Sequence, residues 1–202
     1  MNPLNSVKGS IITAFVLAAI VSIWLTIAAG SDIALHHAQL GRWLHIVSGV
    51  MWIGLLYYFN VVQVPGLADA AADKGGPGGA GVTKYVAPLA LLWFRWAAVA
   101  TWITGAWYLG SGYGDPTAFT QAFTLQPGFR VIGVGVWLGT IMLFNVWVFI
   151  WPNQKKILGI VPATDEQKAA ARKTALIASR TNLVLSVPML MCMGGQGHGL
   201  PF

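Results

Sequence analysis

WLHIVSGVMWIGLLYYFNVVQV, residues 43–64, has the length and apolarity of a membrane-crossing helix and carries a histidine near one end. At about 100° per residue, His45, Ser48, Gly49, Trp52, Leu56, Asn60 and Gln63 share one face. Every other direction carries Ile, Val, Met, Leu, Tyr or Phe. The helix is therefore expected to show lipid its apolar flank and to turn His45 toward sister helices.

Composition extends that reading to the whole chain. Of 202 residues, 56% are hydrophobic and 9% charged, against about 25% charged in soluble domains. An all-α integral membrane protein is expected, as a single domain over residues 1–202. The lone cysteine, Cys192, excludes an internal disulfide, and there is no CxxCH haem-attachment motif and no CxxC knuckle. A net charge of +6 reports topology in such a chain rather than nucleic-acid binding.

Five spans are expected, at about 11–29, 43–64, 85–110, 131–151 and 175–195. The apolar run of the first is too long for a signal-peptide core, so it reads as a retained span. Gly30–Arg42 reads as a loop holding His36 and His37, and Pro65–Lys84 as a flexible Gly/Pro/Ala connector. Ser111–Arg130 reads as a polar, aromatic loop with a short interfacial helix, and Pro152–Lys156 as the exit of the fourth span. Gly135 and Gly139 form a small-xxx-small pair that permits close helix approach. Thr164 and Gln167 form a capping box that starts the last helix. Along it Ser179, Asn182, Ser186, Met189 and Met193 recur on one side, Pro188 predicts a kink, and the tail GGQGHGLPF leaves His198 just past the membrane.

Basic residues set the orientation. With the N-terminus inside, Lys8, Lys74, Lys84, Lys155, Lys156, Lys168, Arg172 and Lys173 lie inside, against Arg42 and Arg130 outside. The positive-inside rule selects N-in, C-out, in a cytoplasmic membrane. His36, His37, His45 and His198 then lie at or near the outer face.

Three chemical signals stand out. Imidazole is a common haem and metal ligand, so His45, with His198 as second axial ligand, is a candidate holder of haem b; the alternative for His45 is an interfacial histidine donating to a carbonyl. Copper held by these histidines with Met189, Met191, Cys192 and Met193 is a chemical alternative, although MLMCM points its sulfurs in several directions. Arg95 and Arg180 lie within spans, where an ionisable residue defaults to a functional hypothesis; with Asn145 and Asn182 they are candidates for holding an anion such as a haem propionate, a carboxylate or a urate-like oxyanion. The alternatives are an Arg95 bonded to backbone carbonyls and an Arg180 snorkelling out. The ten tryptophans are expected mainly as interfacial belts and helix packing, Trp96 and Trp102 being the deeper pair. Phosphate loops, HExxH, GxSxG and nucleotide fingerprints are absent from the sequence.

Four segments, WLHIVSGVMWIGLLYYFNVVQVP (43–65), LLWFRWAAVATWITG (91–105), LGTIMLFNVWVFIWPNQKKILG (138–159) and ASRTNLVLSVPMLMCMGGQGH (178–198), together resemble the membrane domain of the PuuD-type urate hydroxylases. These are bacterial membrane proteins that oxidise urate and pass electrons to cytochrome c. The resemblance implies functional positions at His45, Arg95, Asn145, Asn153, Gln154, Lys155, Arg180, Asn182 and His198. Longer members carry a cytochrome c domain, so this chain is expected to be a short stand-alone member without one.

The expected function is a haem b redox protein of the bacterial inner membrane that oxidises a urate-like molecule or relays electrons to an external cytochrome c. The rival is a non-catalytic subunit of a larger membrane oxidoreductase or monooxygenase complex. Expected partners are membrane lipid, sister membrane subunits or further copies of the chain, and cytochrome c.

Overall fold

The computed structural model describes residues 2–111 and 115–201, and all regular structure among them is helical. Among the described residues, five helical stretches are long and apolar enough to cross a membrane: Val7–Ala28, His37–Ala72, Val82–Ser111, Arg130–Ile157 and Asp165–His198. The chain divides into two compact units, Met1–His36 and His37–Phe202.

The first unit is α1 (Val7–Ala28) behind a short 3-10 turn at Pro3–Asn5. Ser6 caps α1, its Oγ accepting the Gly9 N–H at 3.0 Å. α1 buries none of its residues.

The second unit holds α2 (His37–Tyr57), α3 (Val64–Ala72), α4 (Ala87–Ser111), α5 (Ala118–Phe123), α6 (Arg130–Phe144), α7 (Trp151–Ile157) and α8 (Asp165–His198). α2 packs chiefly on α4, and α6 and α7 pack on α8. Trp52, Leu56, Phe94, Met142 and Val146 are almost fully buried between them. Ile46, Val47, Val50, Met51, Val61 and Val62 stay exposed on α2 and its continuation, as the face assignment in the sequence requires. α8 starts with the expected capping box: Thr164 Oγ1 accepts the Gln167 N–H at 3.3 Å, and Gln167 Oε1 accepts the Thr164 N–H at 2.9 Å.

Several boundaries differ from the sequence reading, each for a physical reason. Helix α2 already begins at His37, so only the first part of Gly30–Arg42 is a loop. Residues 64–72 of the supposed connector form α3, which continues the helix through the wide turn before Pro65, and the run LADAAA is rich in strong helix formers. Pro152–Lys156, read as the exit of the fourth span, is still helical and lies in α7, beyond the wide turn that precedes Pro152. The supposed tail 194–198 stays helical, and α8 ends where Gly199 takes φ 85°. In the Ser111–Arg130 loop the short helix is α5; residues 112–114 of that loop lie outside the described residues. Of the glycine pair, only Gly135 marks a close approach: a Cβ there would meet Cys192 Cβ at 3.1 Å, whereas Gly139 has nothing within 4 Å.

Among the described residues, three wider π turns interrupt the ladder, at Tyr58–Gln63, Val82–Val86 and Asn145–Ile150. Each ends two residues before a proline, namely Pro65, Pro88 and Pro152. A proline offers no N–H, and its ring crowds the carbonyl four residues back. The residue before it accordingly donates five residues back: Val64 to Phe59, Ala87 to Val82, and Trp151 to Val146. Pro188 is accommodated differently, within an α8 that stays α-helical from Asp165 to His198.

Candidate functional site

His45 projects from α2 against α4. Its Nδ1 lies 2.7 Å from the carbonyl oxygen of Thr101. A carbonyl only accepts, so Nδ1 carries the proton and Nε2 keeps a free lone pair. Gly105, one turn beyond Thr101, makes room: a Cβ there would stand 2.8 Å from both Cε1 and Nδ1 of His45. The arrangement matches the donor chemistry of a histidine ligand whose second ring nitrogen is fixed by a backbone carbonyl.

His198 is exposed at the end of α8, and among the described residues no hydrogen bond joins it to His45. No group of three or more His, Cys, Asp or Glu side chains converges among those residues. Of the expected axial pair, His45 presents the donor chemistry of a haem ligand, its Nδ1 fixed at the Thr101 carbonyl, and His198 is not joined to it. The sulfurs of MLMCM diverge, Met189 and Cys192 being buried and Met191 exposed, and Cys192 and Met193 pack toward Gly135 on α6.

The other half of the second unit holds a polar seam. Tyr57 and Ser186 hydroxyls are 3.1 Å apart; Ser186 donates to the Leu183 carbonyl at 2.7 Å, so Tyr57 is the donor to Ser186. Asn60 Nδ2 donates to the Leu56 carbonyl at 2.9 Å and to Ser179 Oγ at 2.8 Å. Asn145 Nδ2 donates to Asn182 Oδ1 at 2.8 Å, and Asn182 Nδ2 to the Met142 carbonyl at 3.0 Å. The stripe Ser179, Asn182, Ser186 of α8 is thus its inward face. Asn145 and Asn182 bond to one another and tie α6 to α8 at the start of a π turn.

Four buried polar atoms of the described residues lack a partner: Trp52 Nε1, Asn60 Oδ1, Gln63 Oε1 and Trp147 Nε1. Trp102, in contrast, donates to Thr140 Oγ1 at 3.0 Å and joins α4 to α6.

Arg95 and Arg180 are not brought together. Arg180 is exposed on α8. Arg95 stacks its guanidinium carbon 3.8 Å from the centroid of Trp151, and Lys155 Nζ lies 6.0 Å from the same ring. Arg95 stands six residues before Thr101 on α4 and turns to α7, away from the imidazole. Asn153 Nδ2 donates to the Phe149 carbonyl at 2.8 Å, a bond within its own helical segment.

Sequence reasoning missed Thr101, Gly105 and Tyr57 as partners, and placed Trp151 only in an interfacial belt. The spacing of Thr101 and Gly105, a small-residue pair one turn apart in α4, is the signal that could have found the histidine cradle.

Outside the spans, Asp115 anchors α5. Hydrogen bonds from the Thr117 hydroxyl, the Thr117 N–H and Gln121 hold its carboxyl below the usual carboxylate range, against an opposing desolvation.

No curated protein and no solved structure significantly matches the chain. Residues 115–201, from Asp115 through the end of α8, match the family model described as Urate oxidase N-terminal, and over that part of the chain the resemblance read from the sequence is borne out.

Proposed function

We propose that the protein is a redox protein of the bacterial inner membrane, oriented N-in and C-out, that holds haem b through His45 and oxidises a urate-like molecule with an external cytochrome c as electron acceptor. The observation that carries this reading is the 2.7 Å contact of His45 Nδ1 with the Thr101 carbonyl, which leaves Nε2 as the ligating atom in a cradle opened by Gly105. The family match over residues 115–201 supports the urate-like substrate class. Bound haem would supply one-electron chemistry. This chain's part is to fix the imidazole tautomer and ring plane, and to keep the ring half-buried beside α4. The orientation rests on the basic residues gathered at the Lys155 end, which leaves the His45 end outside.

The test is a reduced-minus-oxidised visible spectrum of the purified protein and of His45→Ala. A b-type signal that disappears in the variant is expected, and urate turnover with added cytochrome c is the following assay. A featureless spectrum from protein purified under haem-replete expression overturns the reading. It would leave the rival, a non-catalytic subunit, for which the apolar α1 with no buried residue is the supporting observation.

A further inference from the structure

We infer that Arg95 and Lys155, gathered on the ring of Trp151, form a binding site for the phosphate of an anionic membrane lipid. This inference stands apart from the haem reading, because none of these residues touches His45.

The site contains donors and no carboxylate. Arg95 lies on the Trp151 ring at 3.8 Å and Lys155 approaches the same ring at 6.0 Å, so two cations share one indole. Cation–π contact orients a guanidinium without neutralising it. Among the described residues the one ion pair is Lys168 with Asp165, and Arg95 makes no hydrogen bond there. Trp147 lies one turn before Trp151, its ring edge-on to Trp96 at 5.5 Å, and its buried Nε1 has no acceptor. The Trp96–Trp147 pair thus walls the corner beside Arg95 and Trp151. Two cations on one ring with no carboxylate partner are the complement of an oxyanion.

The position selects a lipid as its source. Trp151 is followed at once by the polar run Pro152–Lys156, and α7 ends at Ile157, about 9 Å further along. The hydrocarbon boundary therefore falls near Trp151 in a membrane-inserted chain. The Arg95 guanidinium shares the depth of Trp151, which its 3.8 Å ring contact fixes. Trp96, 54% exposed, leaves the corner open laterally, where a headgroup enters and its acyl chains stay in lipid. Basic corners between helices on the cytoplasmic side are suited to such headgroups.

The test is native mass spectrometry of the full chain in detergent, titrated with phosphatidylglycerol, with phosphatidylcholine and with inorganic phosphate. Phosphatidylglycerol is expected to be retained in preference to phosphatidylcholine, and retention is expected to fall about tenfold in Arg95→Gln, the loss of one charge-assisted contact. Lys155→Gln, near the end of a surface helix, is expected to fall less while keeping the wild-type circular dichroism, so a folding defect in the first variant does not decide the outcome. Equal retention of the two lipids, or wild-type retention in both variants, overturns the site. Displacement of phosphatidylglycerol by millimolar inorganic phosphate overturns the lipid as its source in favour of a free anion.

Discussion

His45 and Gly105 occupy the same space to within a methyl group: a Cβ on Gly105 would stand 2.8 Å from Nδ1 of His45. Gly105→Ala should therefore push the imidazole off the Thr101 carbonyl. Alanine is a better helix former than glycine by about 1 kcal/mol, so α4 itself should not suffer. The expected outcome is a protein with undiminished helix content in which the nitrogen-15 spectrum of the His45 ring no longer reports the single Nδ1–H tautomer. Unchanged ring shifts would mean that the cradle does not hold the histidine.

The Asn145–Asn182 pair should couple α6 to α8. Interhelical side-chain bonds in membrane bundles are worth about 0.6 kcal/mol on average and up to about 1.7. Asn182→Ala loses two such bonds and Asn145→Ala one, so the first should lower the unfolding midpoint in detergent more than the second. A double-mutant cycle should return a coupling of about 1 kcal/mol; additive losses would show that the pair is not a tie.

Donor direction at Tyr57 predicts an asymmetry. Tyr57→Phe leaves Ser186 still bonded to the Leu183 carbonyl, whereas Ser186→Ala leaves a phenol hydroxyl inside the bundle without its acceptor. The second should be the more destabilising, by about 1 kcal/mol, in chemical denaturation. The reverse order would place the donor on Ser186.

Acid should act on α5. The carboxyl of Asp115 is held below its ordinary value by Thr117 and Gln121, so its folded-state pKa is depressed. The stabilisation is present above the unfolded carboxylate pKa of about 3.9 and is lost as pH falls through the lower folded value. Amide exchange at Ala118–Phe123, read by mass spectrometry, should accelerate over that acid window in the wild type. In Asp115→Asn, which cannot titrate, the rate should lack this acid-induced step.

What the sequence makes legible is whatever depends on periodicity. The inward stripe of residues 43–64, the polar line Ser179, Asn182, Ser186 and the capping box at Thr164 all follow from local spacing, and all reappear as contacts. Less legible is whatever depends on a partner helix. No spacing rule says that Arg95 will lie on Trp151 from another element, or that a backbone carbonyl at Thr101 will select the tautomer of His45. Proline misleads in a systematic way: Pro65 and Pro152 read as ends of spans, while the wide turn before each lets the helix continue.

Those wide turns carry a consequence for the length of the chain. Each admits one residue more than a regular turn and displaces the following faces by about 100°. A single-residue deletion inside 58–63 or 145–150, combined with replacement of Pro65 or Pro152 by alanine, would let the helix close up as regular α-helix with its downstream faces kept in phase. The same deletion in 45–56 would rotate His45 away from α4. Homologous chains are free to gain or lose a residue beside these prolines, and gaps in an alignment should gather there and avoid the first four turns of α2.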